Sequence, residues 1–63
     1  MQIILKQIKK YNGTLKYTIN DRNITFYNFL RILSYASMKN WKIQHNIHFS
    51  ELENEHIYYI SNK

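Results

Sequence analysis

Sixty-three residues, 7.8 kDa in all, allow one small domain over 1–63 and leave no chain for a second lobe or an enclosed cofactor cleft. With no cysteine, no proline and one glycine, a disulfide scaffold, a thiolate metal site and a proline-rich linker are excluded; 44% hydrophobic and 16% aromatic content reads as a globule. The formal net charge of +5 is uneven: residues 1–50 carry eight Lys or Arg against Asp21 alone, and residues 51–63 carry Glu51, Glu53 and Glu55 against Lys63.

The first element is a hairpin. Asn12-Gly13 suits a type I′ turn, because both residues accept positive φ. A two-residue turn there pairs Tyr11 with Thr14. It gathers Ile4, Ile8, Leu15, Tyr17 and Ile19 on one face, and Gln7, Lys9, Lys16 and Thr18 on the other. Lys9 then stands opposite Lys16. Asp21-Arg22-Asn23 breaks the pattern. Thr25 is a fitting N-cap, and Phe26, Phe29, Leu30 and Leu33 follow at helical spacing with Ala36 or Ser37 closing the stripe. The helix should end near Lys39-Asn40.

Residues 41–49 alternate as a half-buried strand: Trp41, Ile43, His45, Ile47 and Phe49 face one way, Lys42, Gln44, Asn46 and His48 the other. Ser50 with Glu53 three later resembles a capping box opening a short helical turn. Ile57-Tyr58-Tyr59-Ile60 makes the last strand. The expectation is an α+β fold, ββαββ, with one helix packed on a four-stranded sheet. Ile3-Ile4-Leu5 and Ile57–Ile60 are apolar on both faces, as central strands are, so the first and last strands belong side by side.

The opening Met1-Gln2-Ile3, the hairpin and the following helix resemble the start of ubiquitin-like folds. The resemblance implies β-grasp topology. No function is carried over with it, since the chain ends Ser61-Asn62-Lys63 rather than in a Gly-Gly pair.

The constellations argue against chemistry. His45-x-x-His48, with Glu51, Glu53 and His56 nearby, offers zinc-type ligands, but strand phase sends His45 and His48 to opposite faces. Neither a metal nor another cofactor is expected. None of Ser34, Ser37, Ser50 and Ser61 sits in a Gly-flanked elbow, and the one glycine is used by the hairpin, so no phosphate loop is available. An enzyme is not expected.

Two binding surfaces remain. In the proposed register Ile3 and Leu5 point away from the helix, beside either Ile57 with Tyr59 or Tyr58 with Ile60. A contiguous apolar patch of this kind marks an interface. The expected protein contact is Ile3, Leu5, Tyr58, Tyr59 and Tyr11, rimmed by Lys9, Lys16 and Lys42, with a homodimer as one way to bury it. The alternative is nucleic-acid binding on a basic face of Lys9, Lys16, Lys42, Gln7 and Gln44. Against this, seven of the nine cations are Lys and two are Arg, the residue that specific recognition favours. Ile, Lys, Asn and Tyr supply 31 of the 63 residues, the set favoured by AT-rich coding, so base composition accounts for lysine too.

No stretch approaches the ~20 apolar residues of a membrane-spanning helix. Lys6, Lys9 and Lys10 interrupt the N-terminal segment, so no signal peptide is read, and the cytoplasm of the source or host cell is the expected compartment. The functional expectation is a small non-enzymatic protein of the phage or mobile-element type that binds and modulates or inhibits a host protein by covering its surface.

Overall fold

In the computed structural model, which describes residues 2–62, the first hairpin turns differently from the sequence reading. Strand β1 (Gln2–Lys10) is joined to β2 (Leu15–Ile19) through Tyr11-Asn12-Gly13. The Lys10 N–H donates to the Thr14 carbonyl at 2.9 Å, and the Gly13 N–H donates to the Lys10 carbonyl at 2.9 Å. Gly13 takes φ +89°, which a side chain would strain, and the Asn12 carboxamide oxygen accepts from the Thr14 N–H at 3.0 Å. This is a three-residue loop, a type I turn followed by a left-handed residue.

The extra loop residue slips the register by one and exchanges the two faces. Leu5 now lies opposite Ile19, and Lys9 opposite Leu15. The predicted Lys9–Lys16 apposition is replaced by Lys16 opposite Ile8. The register that prevails buries Leu5 completely between Ile19 on one side and Tyr58 on the other.

The type I′ geometry exists, but at Asn20-Asp21. Their φ values are 47° and 69°, and they link β2 to a third strand, β3 (Arg22–Ile24), with Ile19 opposite Arg22. Asn and Asp visit the left-handed region more readily than other side chains. Asn20 is also anchored from outside, since its carboxamide oxygen accepts from the Ile4 N–H and its own N–H donates to the Ile4 carbonyl, both at 2.9 Å. Three residues are too few to display alternation, so this strand was invisible as a pattern.

Helix α1 (Phe26–Met38) begins at Thr25, whose hydroxyl accepts from the Asn28 N–H at 3.1 Å. It closes with Lys39 as C-cap and Asn40 at φ 58°. Its core-facing stripe is the buried Phe29 and Ala36 with the half-buried Ile32 and Leu33, turned from the predicted one: Phe26 and Leu30 are exposed. Ala36, without a long side chain, lets the helix approach the sheet. The Tyr17 ring seats the other end, 5.1 Å from Phe26 and 5.0 Å from Phe29 between centroids.

Strands β4 (Lys42–Phe49) and β5 (Glu53–Ser61) form a second tight hairpin. The Ser50 hydroxyl donates to the Glu53 carbonyl at 2.9 Å and accepts from the Glu53 N–H at 3.1 Å. The predicted helical turn over the acidic stretch is therefore a β-turn, and Glu53 and Glu55 lie in a strand. The Tyr11 N–H donates to the Leu52 carbonyl at 2.9 Å, tying the two hairpin tips together.

Among the described residues the architecture is α+β: one helix on a five-stranded antiparallel sheet of order β3-β2-β1-β5-β4. The expected four-stranded ββαββ layout is thus extended by β3. β1 and β5 are neighbours in the middle, as their double-sided apolar character required. They run antiparallel, whereas the β-grasp implied by the ubiquitin-like opening pairs its first and last strands in parallel. Met1, the first residue of that resemblance, lies outside the described residues, as does Lys63.

Helix α1 spans about 20 Å and the nine-residue β1 about 30 Å. The helix therefore covers only part of one sheet face. That part holds Leu5, Ile60, Phe29 and Ala36, with Ile3, Tyr17, Ile19, Trp41, Ile43 and Tyr58 packed around them. No helix is long and apolar enough to cross a membrane among the described residues.

Candidate functional site

The sheet fixes where each predicted site residue sits. Ile3, Leu5 and Tyr58 lie under the helix, not on the outer face. Leu5 is core, and the Tyr58 ring meets Phe29 edge-on at 5.8 Å. Tyr59, on the opposite parity, faces outward opposite Ile4 and Gln44. Tyr11 stands exposed at the hairpin tip. The expected five-residue interface is therefore divided among three places.

The predicted basic face divides too. Gln7 and Lys9 share the helix side with Leu5, whereas Lys16, Lys42 and Gln44 lie on the outer side with Tyr59. What remains outside is Ile4, Ile8, Ile57 and Tyr59, each half-buried and interleaved with Lys6, Lys16 and Glu55. This mixture is less apolar than the patch the sequence suggested.

The histidines pair differently from the zinc spacing. His45 Nε2 lies 3.0 Å from His56 Nδ1, and the His45 ring stacks on Tyr58 at 4.4 Å. His48, on the other face, places Nδ1 3.4 Å from Glu55 Oε2. Among the described residues no three His, Asp or Glu side chains converge as a metal site would need.

The strongest surface lies along the free side of α1. An open groove of about 800 Å³ runs between the helix and the sheet end, floored by Ile3, Ile24 and Ile32. Its walls are Tyr27, Arg31, Tyr35, Met38 and Trp41. Tyr27 is 68% exposed and Met38 81% exposed. Tyr27, Arg31, Tyr35 and Met38 recur at three- and four-residue spacing, so the helix presents them as one strip. Their positions are braced by local contacts. Arg31 lies over the Tyr27 ring at 5.7 Å, Lys39 over the Tyr35 ring at 5.5 Å, and Trp41 meets Tyr35 edge-on at 5.5 Å.

Electrostatics single out the same strip. The chain from Arg22 to Ser50 contains no Asp or Glu, so Arg31 and Lys39 stand beside the groove without a carboxylate on its helix. The sequence signal was present, since Tyr27, Arg31 and Tyr35 fall off the core stripe. It gains meaning only once the helix and Trp41 enclose a concavity.

No family model matches the chain, and neither a curated protein nor a solved structure does.

Proposed function

We propose that this protein is a non-enzymatic binding module that captures a protein partner in the groove along α1. The observation that carries the reading is the groove itself: the exposed Tyr27, Arg31, Tyr35 and Met38 line one concave surface with the half-buried Trp41. Trp, Tyr and Arg are the residues that supply most binding energy at protein interfaces. Met adapts its shape to an irregular partner. A small domain that leaves such side chains in water gains by covering them.

The occupant is an acidic segment bearing apolar or aromatic side chains. Its apolar groups fill the groove between Met38 and Tyr27. Its carboxylates meet Arg31 and Lys39 and speed encounter more than they raise affinity. Covering the partner's surface is then the whole mechanism, with no bond made or broken by this chain. The reading keeps the expected class of function and moves the contact from the outer sheet face to the helix.

The test is affinity capture from the native cell after nuclease treatment, run with the wild type, Met38→Glu and the outer-face variant Lys16→Glu. Capture that survives nuclease, is lost with Met38→Glu and persists with Lys16→Glu supports the groove. Capture lost with nuclease supports the nucleic-acid alternative instead. Capture indifferent to Met38→Glu rejects the groove.

A further inference from the structure

The two sheet edges are unequal. β3 is three residues long, a blunt edge, whereas β4 runs for eight residues with no proline and no bulge. Every β4 residue except Ile43 is exposed. Natural sheets guard long edges with prolines, bulges, inward-facing charges or a covering element. β4 has none of these, and its nearest ionic guard, Lys42, stands at the end of the strand.

The hydrogen bonding says which backbone groups the edge offers. The Ser50 N–H donates to the Glu53 carbonyl, so Ser50 and Glu53 form a hydrogen-bonded pair. Bonding and non-bonding pairs alternate along an antiparallel ladder. His48, Asn46, Gln44 and Lys42 therefore bond to β5. Ile43, His45, Ile47 and Phe49 direct their N–H and C=O groups away from the sheet. Those same residues carry side chains on the helix face, where Ile47 is 49% and Phe49 69% exposed.

We infer that β4 is a homodimer edge: two copies of the chain join β4 to β4 about a two-fold axis at Asn46, making one ten-stranded antiparallel sheet. Only a register in which odd residues oppose odd residues lets the outward groups bond and keeps each face continuous. With Asn46 on the axis, His45 of one copy pairs with Ile47 of the other, and Ile43 with Phe49. The exposed apolar side chains then gain neighbours on the same face.

Charge is compatible with this register. Antiparallel pairing lays the basic end of one strand, at Lys42, against Ser50 and beside Glu51 of the other copy. His48 faces Gln44. Moving the axis to His45 would set Lys42 opposite His48 and Phe49 beyond the strand, opposite Trp41. A second copy suits the energetics as well, because only Leu5, Phe29, Ala36 and Ile60 are buried apolar side chains among the described residues. The inference rests on the β4 edge alone and not on the partner-binding reading.

The chain has no cysteine, which makes the test clean. Asn46 opposite its own copy is a non-hydrogen-bonded pair, with Cα atoms about 4.5 Å apart, within disulfide range. Oxidation of an Asn46→Cys variant is expected to give a disulfide-linked dimer at least tenfold faster than Lys16→Cys on the same face. Sedimentation equilibrium of the wild type is expected to show a dimer. Ile47→Pro removes one outward N–H and should leave a folded monomer by circular dichroism. Ile47→Lys serves if the proline variant fails to fold. A wild type that is monomeric at millimolar concentration overturns the inference. So does a dimer in which Asn46→Cys crosslinks no faster than Lys16→Cys, or one that both Ile47 variants leave intact.

Discussion

His45 Nε2 and His56 Nδ1 meet at 3.0 Å across adjacent strands, with ring centroids 5.2 Å apart and ring planes inclined by 18°. Rings so nearly coplanar direct one nitrogen straight at the other. One imidazole must donate N–H and its mate must accept, so this contact fixes complementary tautomers. Nitrogen NMR should show one protonated and one unprotonated nitrogen at the contact, and the pattern should vanish from His45 in His56→Ala. The cost in stability should stay near 1 kcal/mol or below, the worth of one partly exposed hydrogen bond. Identical His45 spectra in the wild type and His56→Ala would contradict the contact.

The register of the first hairpin has a direct energetic signature. Leu5 is wholly buried, while its neighbour Ile4 lies half-buried on the open face. Leu5→Ala should lose about 2–5 kcal/mol by removing apolar contacts and leaving a cavity. Ile4→Ala should lose about 1 kcal/mol, because less area leaves water there. Urea denaturation of both variants checks this. Equal losses would restore the two-residue turn at Asn12-Gly13.

The two turns should answer oppositely to substitution. Gly13→Ala puts a side chain at φ +89° and should cost about 1 kcal/mol, although the space around it is open. Asp21→Gly converts the Asn20-Asp21 turn to the favoured Asn-Gly pair and should gain about 0.5 kcal/mol. The pairing it sacrifices is Lys6 to Asp21 at 3.7 Å, exposed at the aspartate and of little weight. Thermal melts of the two variants should shift in opposite directions.

Thr18 is buried on the outer side of β2, and its hydroxyl has no hydrogen-bond partner. An unpaired buried hydroxyl costs about 1–3 kcal/mol of desolvation. Thr18→Val keeps the shape and the β-branch while removing that cost. Its melting temperature should equal or exceed that of the wild type. A clear loss of stability would mean the hydroxyl is satisfied in solution.

The fold was legible where local chemistry and pattern agree. Thr25 caps the helix, Asn40 ends it, and the two doubly apolar runs lie side by side in the sheet centre; the alternating run 41–49 does form a strand, but as an exposed edge rather than a half-buried one. What failed was a choice of one residue. Asn12-Gly13 fits a two-residue or a three-residue loop, and both registers separate apolar from polar side chains. Only the contacts of Leu5 with Ile19 and Tyr58, set by a distant strand, decide between them. That single slip carried Leu5 into the core and Ile3 against it, and of the two alternatives left open on the last strand it is Tyr58 that packs beneath the helix with them. β3 escaped notice because Arg22-Asn23-Ile24 has no periodicity to read. Tyr27, Arg31 and Tyr35 fall off the core stripe in the sequence, but a helix wheel cannot show that Met38, at the helix end, and Trp41, from the following strand's approach, complete a concavity with them.

The central claim is that the groove along α1 is the working surface, and Trp41 is its built-in reporter as the sole tryptophan of the chain. The direct measurement is Trp41 emission during titration with the purified captured partner, in the wild type and in Met38→Glu. Met38 is so exposed that the substitution should leave stability within about 0.5 kcal/mol. Saturable quenching with a blue shift in the wild type, weakened at least tenfold in Met38→Glu, is the expected result. An unchanged Trp41 spectrum at saturating partner would contradict the account.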